Sequence, residues 1–224
     1  MENEVTCPIC RDTGWIYQYQ DGVYKGVARC SCRDEFDRRS REQTFIKLCE
    51  LPPYAETMTF ESWRPVPSLK EAHDAALEVA EGKLNWLTLL GNPDHGKTHL
   101  AIAICHRWLA GDKPAKYAYV PLLLDELRQG FETKAEDGER GYQERFDFFC
   151  QVPLLILDDL GAEHSTPWVQ EKLDTIIDYR GMHGLAQVVT SNLTLRQLSP
   201  RIASRLQRFG KVVTLHTTEH RLRR

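Results

Sequence analysis

The chain reads as an α/β protein whose parallel sheet is covered by helices on both faces, and three observations say so. Short apolar runs alternate with helical stretches over most of its length. One such run, Leu84–Leu90, leads straight into GNPDHGKTHL (Gly91–Leu100), which fits G-x-x-x-x-G-K-[ST] and opens a helix. Another ends in two acids, in LLILDDLG (Leu154–Gly161). The 224 residues suffice for one well-buried core with a small appended module, or for two small domains. A 42% hydrophobic and 27% charged composition is ordinary for a soluble globular chain.

Taken in order, the first forty or so residues are rich in Cys, Gly and aromatics, with turn signals at Asp12-Thr13-Gly14 and Asp21-Gly22. They predict a hairpin of two strands, Trp15–Gln20 and Val23–Ala28. Arg33–Lys47 is a charged helical connector, and Pro52, Pro53, Pro65 and Pro67 make Leu51–Ser68 mostly extended linker. Leu69–Gly82 reads as a helix with Ala72, Ala76, Val79 and Ala80 inward. Beyond the run before Gly91, strands are expected at Lys116–Val120, Val152–Leu157, Ala186–Thr190 and Lys211–Leu215. Helices are expected at about Lys97–Ala110, Leu122–Phe131, Tyr142–Cys150, Pro167–Arg180 and Leu195–Phe209, with an exposed loop at Lys134–Gly141. Pro167 suits a first helical turn. The expected division is a module over 1–48, a linker over 49–68 and a nucleotide-binding domain over 69–224.

No run approaches the roughly 18 apolar residues of a membrane helix, and Met1 is followed by acids, so a cytoplasmic protein is expected. The net charge of −3 conceals a basic end: between Arg196 and Arg224 there are eight Lys or Arg against Glu219 alone. That end suits an anionic partner, although a solvated surface would look the same.

The loop GNPDHGKTH offers backbone N–H groups and a helix N-terminus to phosphate. Its nucleotide-binding candidates are Gly91, Asn92, Pro93, Asp94, His95, Gly96, Lys97, Thr98 and His99. Lys97 would reach the β- and γ-phosphates, and the Thr98 hydroxyl would ligate Mg²⁺. Asp94 and His95 are expected to point outward, since an acid facing phosphate would oppose binding. Asp158 sits at the carboxyl edge of a buried strand, where it would hold Mg²⁺. Asp159 is the candidate to orient or deprotonate an attacking water, and Asn192, ending QVVTSN, is placed to bond the γ-phosphate or that water. In RIASRL, Arg201 and Arg205 lie four apart on one helical face, either as surface ion pairs or as cations supplied to a neighbour's nucleotide.

GNPDHGKTHLA, LLILDDLGAE, VVTSN and LSPRIASRL, in this order and spacing, resemble the AAA+ core of bacterial helicase loaders of the DnaC/DnaI type and the related IstB-type transposition helpers. The likeness covers about Thr59–Leu215. It implies a five-stranded parallel sheet, ATP with Mg²⁺, and self-association in which one subunit's arginine completes the next subunit's site. On that likeness Lys97 and Thr98 match Walker A, Asp158 and Asp159 Walker B, and Asn192 the first sensor. Arg205 best matches the arginine finger, with Arg201 as the fallback, and Arg221 is a weak match to a second sensor. Two departures stand out: Asp94 replaces the usual inner glycine, and little chain follows the last strand to make a helical lid.

Seven cysteines without a signal peptide do not read as a disulfide framework. Cys7 and Cys10, then Cys30 and Cys32, can place four thiolates around one tetrahedral Zn²⁺, giving a zinc-ribbon-like module. Free reduced thiols and an iron–sulfur cluster are the alternatives, because the C-x-C pair is tighter than usual. The resemblance implies that this end docks on a replicative DNA helicase, with single-stranded DNA gripped by the ATPase subunits. The other implied roles are a transposition or phage-replication helper, and a nucleotide-dependent adaptor with little turnover.

Overall fold

The computed structural model describes residues 7–64, 66–132 and 141–216, side chains at 130–132 excepted. Arg221, the basic residues beyond it, Pro65 and most of the loop expected at Lys134–Gly141 lie outside the described residues. Two strands, β1 (Trp15–Gln20) and β2 (Val23–Arg29), pair antiparallel, followed by helix α1 (Ser31–Cys49). After two 3₁₀ turns come α2 (Lys70–Ala80), β3 (Trp86–Gly91), α3 (Lys97–Ala110), β4 (Ala115–Tyr119), α4 (Val120–Glu132) and α5 (Tyr142–Gln151). The chain continues with β5 (Leu154–Asp158), α6 (Pro167–His183), β6 (Ala186–Ser191), α7 (Pro200–Phe209) and β7 (Lys211–Leu215).

Strands β3 to β7 form one parallel sheet in the order β4-β5-β6-β3-β7. The inner strands β5 and β6 are buried along their whole length, which explains the apolar run of β5 and the paired Val188 and Val189 of β6. Helices cover both faces. One core layer joins α2 and α3 to the sheet through Val79, Leu100 and Ile104. The other joins α4 to α7 through Leu127, Phe149, Ile176 and Leu206. The sheet order matters for function because β6 lies between the loop-bearing strand β3 and the acid-bearing strand β5.

Three local features differ from the sequence expectation. Leu51–Ser68 is not plain extended chain: it contains 3₁₀ turns at Pro53–Thr57 and Pro67–Leu69, and buries Ala55 and Phe60 in the core. Helix α7 begins at Pro200 rather than Leu195, because Ser199 caps it by accepting from the Ile202 N–H at 3.3 Å. Val120 opens α4 instead of ending β4. Arg180, on α6, is fully buried, and its guanidinium donates to the carbonyls of Phe149, Cys150, Val152, Pro153 and Ala186. It therefore ties α6 to the entries of β5 and β6. Among the described residues no helix is long and apolar enough to cross a membrane.

Candidate functional site

The loop between β3 and α3 is built around backbone conformations that few side chains tolerate. Gly96 has φ 83°, and a Cβ there would meet the Trp63 ring at 2.6 Å. Asp94 has φ 65°, a left-handed conformation that Asp adopts more readily than most residues. The acid in place of the inner glycine thus satisfies the backbone. Asp94 is exposed, and its charge joins those of Asp159 and Asp158 in favouring the protonated form of Lys97. Asn92 and Pro93 are exposed as well. His95, expected to point outward, does not: its Nδ1–H donates to the Leu215 carbonyl at 3.0 Å, pinning the loop to the end of β7. His99 serves the preceding segment, its Nε2–H lying 2.9 Å from the Thr59 carbonyl and its ring edge-on to Trp63.

Lys97 is buried at the start of α3. Its ammonium donates to the carbonyls of Gly91 at 2.7 Å and Asn92 at 2.8 Å, and to Asn192 Oδ1 at 2.8 Å. Burial lowers its pKa, and the nearby carboxylates oppose that shift.

Asp158 ends β5 and is 4% exposed. Three hydroxyls converge on it: Thr98 Oγ1 at 3.0 Å, Thr190 Oγ1 at 2.6 Å and Tyr117 OH at 2.6 Å. Neither Tyr117 nor Thr190 was singled out by the sequence. Burial, and then the Asp158 charge, push the Tyr117 phenol far above its ordinary range, so it remains a donor. A buried carboxylate beside a loop threonine is the donor pair a hard cation needs, and the residues fit Mg²⁺.

Asp159 follows with φ 61°, its N–H donating to Thr190 Oγ1 at 2.9 Å. Asn192 Nδ2 donates to Asp159 Oδ1 at 2.7 Å while Asn192 Oδ1 accepts from Lys97, so the amide orientation is fixed by its two partners. Because β6 lies between β3 and β5, its last residues deliver this bridge between ammonium and carboxylate. Burial, and then Asp158, raise the Asp159 carboxyl, while Lys97 opposes. A cavity of about 390 Å³ adjoins the bridge, with Asn92, Asn192, Arg196 and His216 in its wall.

Arg201 and Arg205 are elsewhere. Both are bound to Asp178 on α6, at 2.7 and 2.5 Å, and not to any loop residue among those described.

At the other end, Cys7, Cys10, Cys30 and Cys32 place their sulfurs within 4.8 Å of one another. The pairs Cys7–Cys30 and Cys10–Cys32 lie 3.8 and 3.3 Å apart. Four sulfurs at tetrahedral Zn–S distances would be separated by about 3.8 Å, so the cluster fits the ion. Left-handed Arg11 and Asp12 turn the chain so that the Gly14 N–H donates to Cys10 Sγ at 3.3 Å. Burial opposes ionisation of Cys10, but hydrogen bonds from Cys32 and Gly14 outweigh it and lower the thiol to about 6.

Comparison with known proteins gives this geometry a family. Residues 29–205 match the model described as IstB-like ATP binding protein. The phage-like element PBSX protein XkdC of Bacillus subtilis (strain 168) is 24% identical over 207 residues, spanning 86% of this chain and 73% of that protein. The replicative helicase loader DnaC of Escherichia coli (strain K12) is 20% identical over 187 residues, spanning 81% and 74%. A crystal structure of the DnaC helicase loader superposes with a TM-score of 0.64 at 19% identity, covering 74% of this chain and all of that one, a likeness of fold. The chain belongs to the IstB-like ATP-binding proteins, AAA+ in fold, as a distant relative of the DnaC and DnaI helicase loaders.

Proposed function

We propose that the chain is an ATP-hydrolysing helicase loader that binds a replicative helicase and single-stranded DNA. The observation that carries the enzymatic part is the Asn192 bridge, from Lys97 to Asp159, beside buried Asp158. Lys97 is placed to exchange its carbonyl partners for β- and γ-phosphate oxygens, and the N–H groups of 94–98 to cradle the chain of phosphates. Thr98 and Asp158 would hold Mg²⁺, which when bound offsets phosphate charge. Asp159 orients the attacking water and accepts its proton, and Asn192 fixes where that carboxylate stands. Arg205, with Arg201 as the fallback, approaches a neighbouring protomer's γ-phosphate from α7.

Cys7, Cys10, Cys30 and Cys32 would hold Zn²⁺ and so order a docking module for the helicase. The loader role is drawn from the likeness to DnaC and DnaI. A second reading, a phage-replication or transposition helper, is favoured by the family model and by the likeness to a phage-like element protein. Asp159, one methylene shorter than a glutamate, suits slow or partner-stimulated turnover, and a nucleotide-dependent adaptor is the limiting case.

Turnover of ATP with and without single-stranded DNA tests the enzyme: Lys97→Ala should abolish nucleotide binding and turnover together. Capture of the host replicative helicase by the intact chain, and not by Cys7→Ser/Cys10→Ser, tests the loader. Equal capture by both, or by neither, refutes docking through this module.

A further inference from the structure

Arg201 and Arg205 lie four residues apart on α7, and Asp174 and Asp178 four apart on the facing α6. The four groups are not equivalent. Arg201 spans both acids, with Nη2 2.7 Å from Asp178 Oδ2 and Nε 3.6 Å from Asp174 Oδ2. Arg205 meets Asp178 alone, through Nε at 2.5 Å, with Nη2 at a long 3.5 Å. Its Nη1 makes no hydrogen bond among the described residues. Asp178 thus gives each arginine one oxygen at close range, but it takes Arg201 by the terminal Nη2 and Arg205 by the stem-side Nε, so the terminal edge of Arg205 is the less committed of the two. Both arginines hold the Asp178 carboxyl below its usual range, Arg205 most, so it stays ionised.

The platform beneath is packed and capped. Ile202 and Leu206 bury the inner face of α7, and Ser199 caps its start. Gly181 on α6 leaves room for the Phe209 ring, which a Cβ would meet at 2.3 Å.

We propose that Asp178 is a positioning residue for a guanidinium acting in trans: it grips Arg205 by Nε, so that the terminal nitrogens face a neighbouring protomer's nucleotide phosphate. The proposal rests on the ATPase reading above and deepens it, since it assigns the finger to Arg205 and gives Arg201 the task of holding Asp178. A long, unrestrained arginine surrenders much rotamer freedom when it is ordered. One already gripped along its stem-side nitrogen surrenders less on meeting phosphate, and its orientation is set before assembly.

The test is a double-mutant cycle on the full chain, reading ATP turnover against protein concentration, the KM for ATP and the melting temperature. Asp178→Asn should lower assembly-dependent kcat about tenfold with KM changed less than about twofold. In the Arg205→Ala background the same change should have no further effect. A kcat loss of equal factor in both backgrounds overturns the assignment, because Asp178 would then act on structure alone. Wild-type turnover in Asp178→Asn also overturns it. Should that variant melt below the assay temperature, Asp178→Glu takes its place: a kcat deficit that vanishes in the Arg205→Ala background supports the assignment, and one that persists there, or no deficit, refutes it. If Arg205→Ala itself turns over like wild type, the trans-guanidinium reading fails first, a result separate from the failure of Asp178 alone.

Discussion

Replacing Asn192 with alanine removes two hydrogen bonds at once, one from Lys97 at 2.8 Å and one to Asp159 at 2.7 Å. Each has a charged partner, and such bonds contribute about 1.5–3 kcal/mol when removed. Asn192 is exposed, so solvent replaces part of each, and the pair together is better set at about 1.5–3 kcal/mol than at twice that. If that free energy is realised in the transition state, turnover falls between about tenfold and a hundredfold. Lys97 retains the Gly91 and Asn92 carbonyls as partners, so its placement, and with it ATP affinity, should change by less than about threefold. Steady-state turnover at saturating ATP and calorimetric ATP titration separate the two quantities. An unchanged kcat, or a loss carried wholly by affinity, refutes the assignment of Asn192 as the residue that sets the stance of Asp159.

Other expectations concern the acid pair, the core and the cysteine cluster. Asp159 must be ionised to accept a proton, and burial and the neighbouring Asp158 raise its carboxyl. Turnover should therefore fall on acidification at a pH above the ordinary carboxylate range, and that limb should disappear, with nearly all activity, in Asp159→Asn. Tyr117→Phe leaves the buried Asp158 carboxylate with one hydroxyl fewer and should cost about 1.5–3 kcal/mol, seen as a lower urea midpoint. Arg180→Met removes the donor shared by five carbonyls at the end of α5 and the starts of β5 and β6, and a loss of at least about 3 kcal/mol is expected in the same assay. Chelation of zinc should abolish order in β1 and β2, read by hydrogen exchange, while protection of β3 and β5 persists.

The sequence exposes what depends on one element at a time. A continuous apolar run marks β5 and a largely apolar one β3, and the strand-to-helix context identifies the loop at Gly91–Thr98. The acids of LLILDDLG are legible because a fully buried strand has little reason to end in two carboxylates. What stays hidden depends on which strands are neighbours. Thr190 and Tyr117 reach Asp158 only because β4 and β6 flank β5, and neither residue is unusual in its own strand. Asp178 is likewise one of three acids on its helix until α7 packs against it. His95 shows the limit inside a recognised motif: the pattern leaves its position open, whereas the end of β7 supplies a carbonyl that draws the ring inward. The turn before α7 reads as helix in the sequence because its side chains suit one, while Ser199 and Pro200 set the true start.

The segment ahead of α2 carries one more consequence. His99 and His106, both on α3, hold the carbonyls of Thr59 and Ala55, Arg107 pairs with Glu61, and Trp63 lies over Gly96. A fragment cut at the start of α2 would keep every motif residue of the phosphate loop and still lose its roof. It would expose the flank of α3 and leave two histidine rings without acceptors. Work on an isolated nucleotide-binding fragment should therefore begin upstream of Pro53, and limited proteolysis should find 53–63 protected as part of the same folded body.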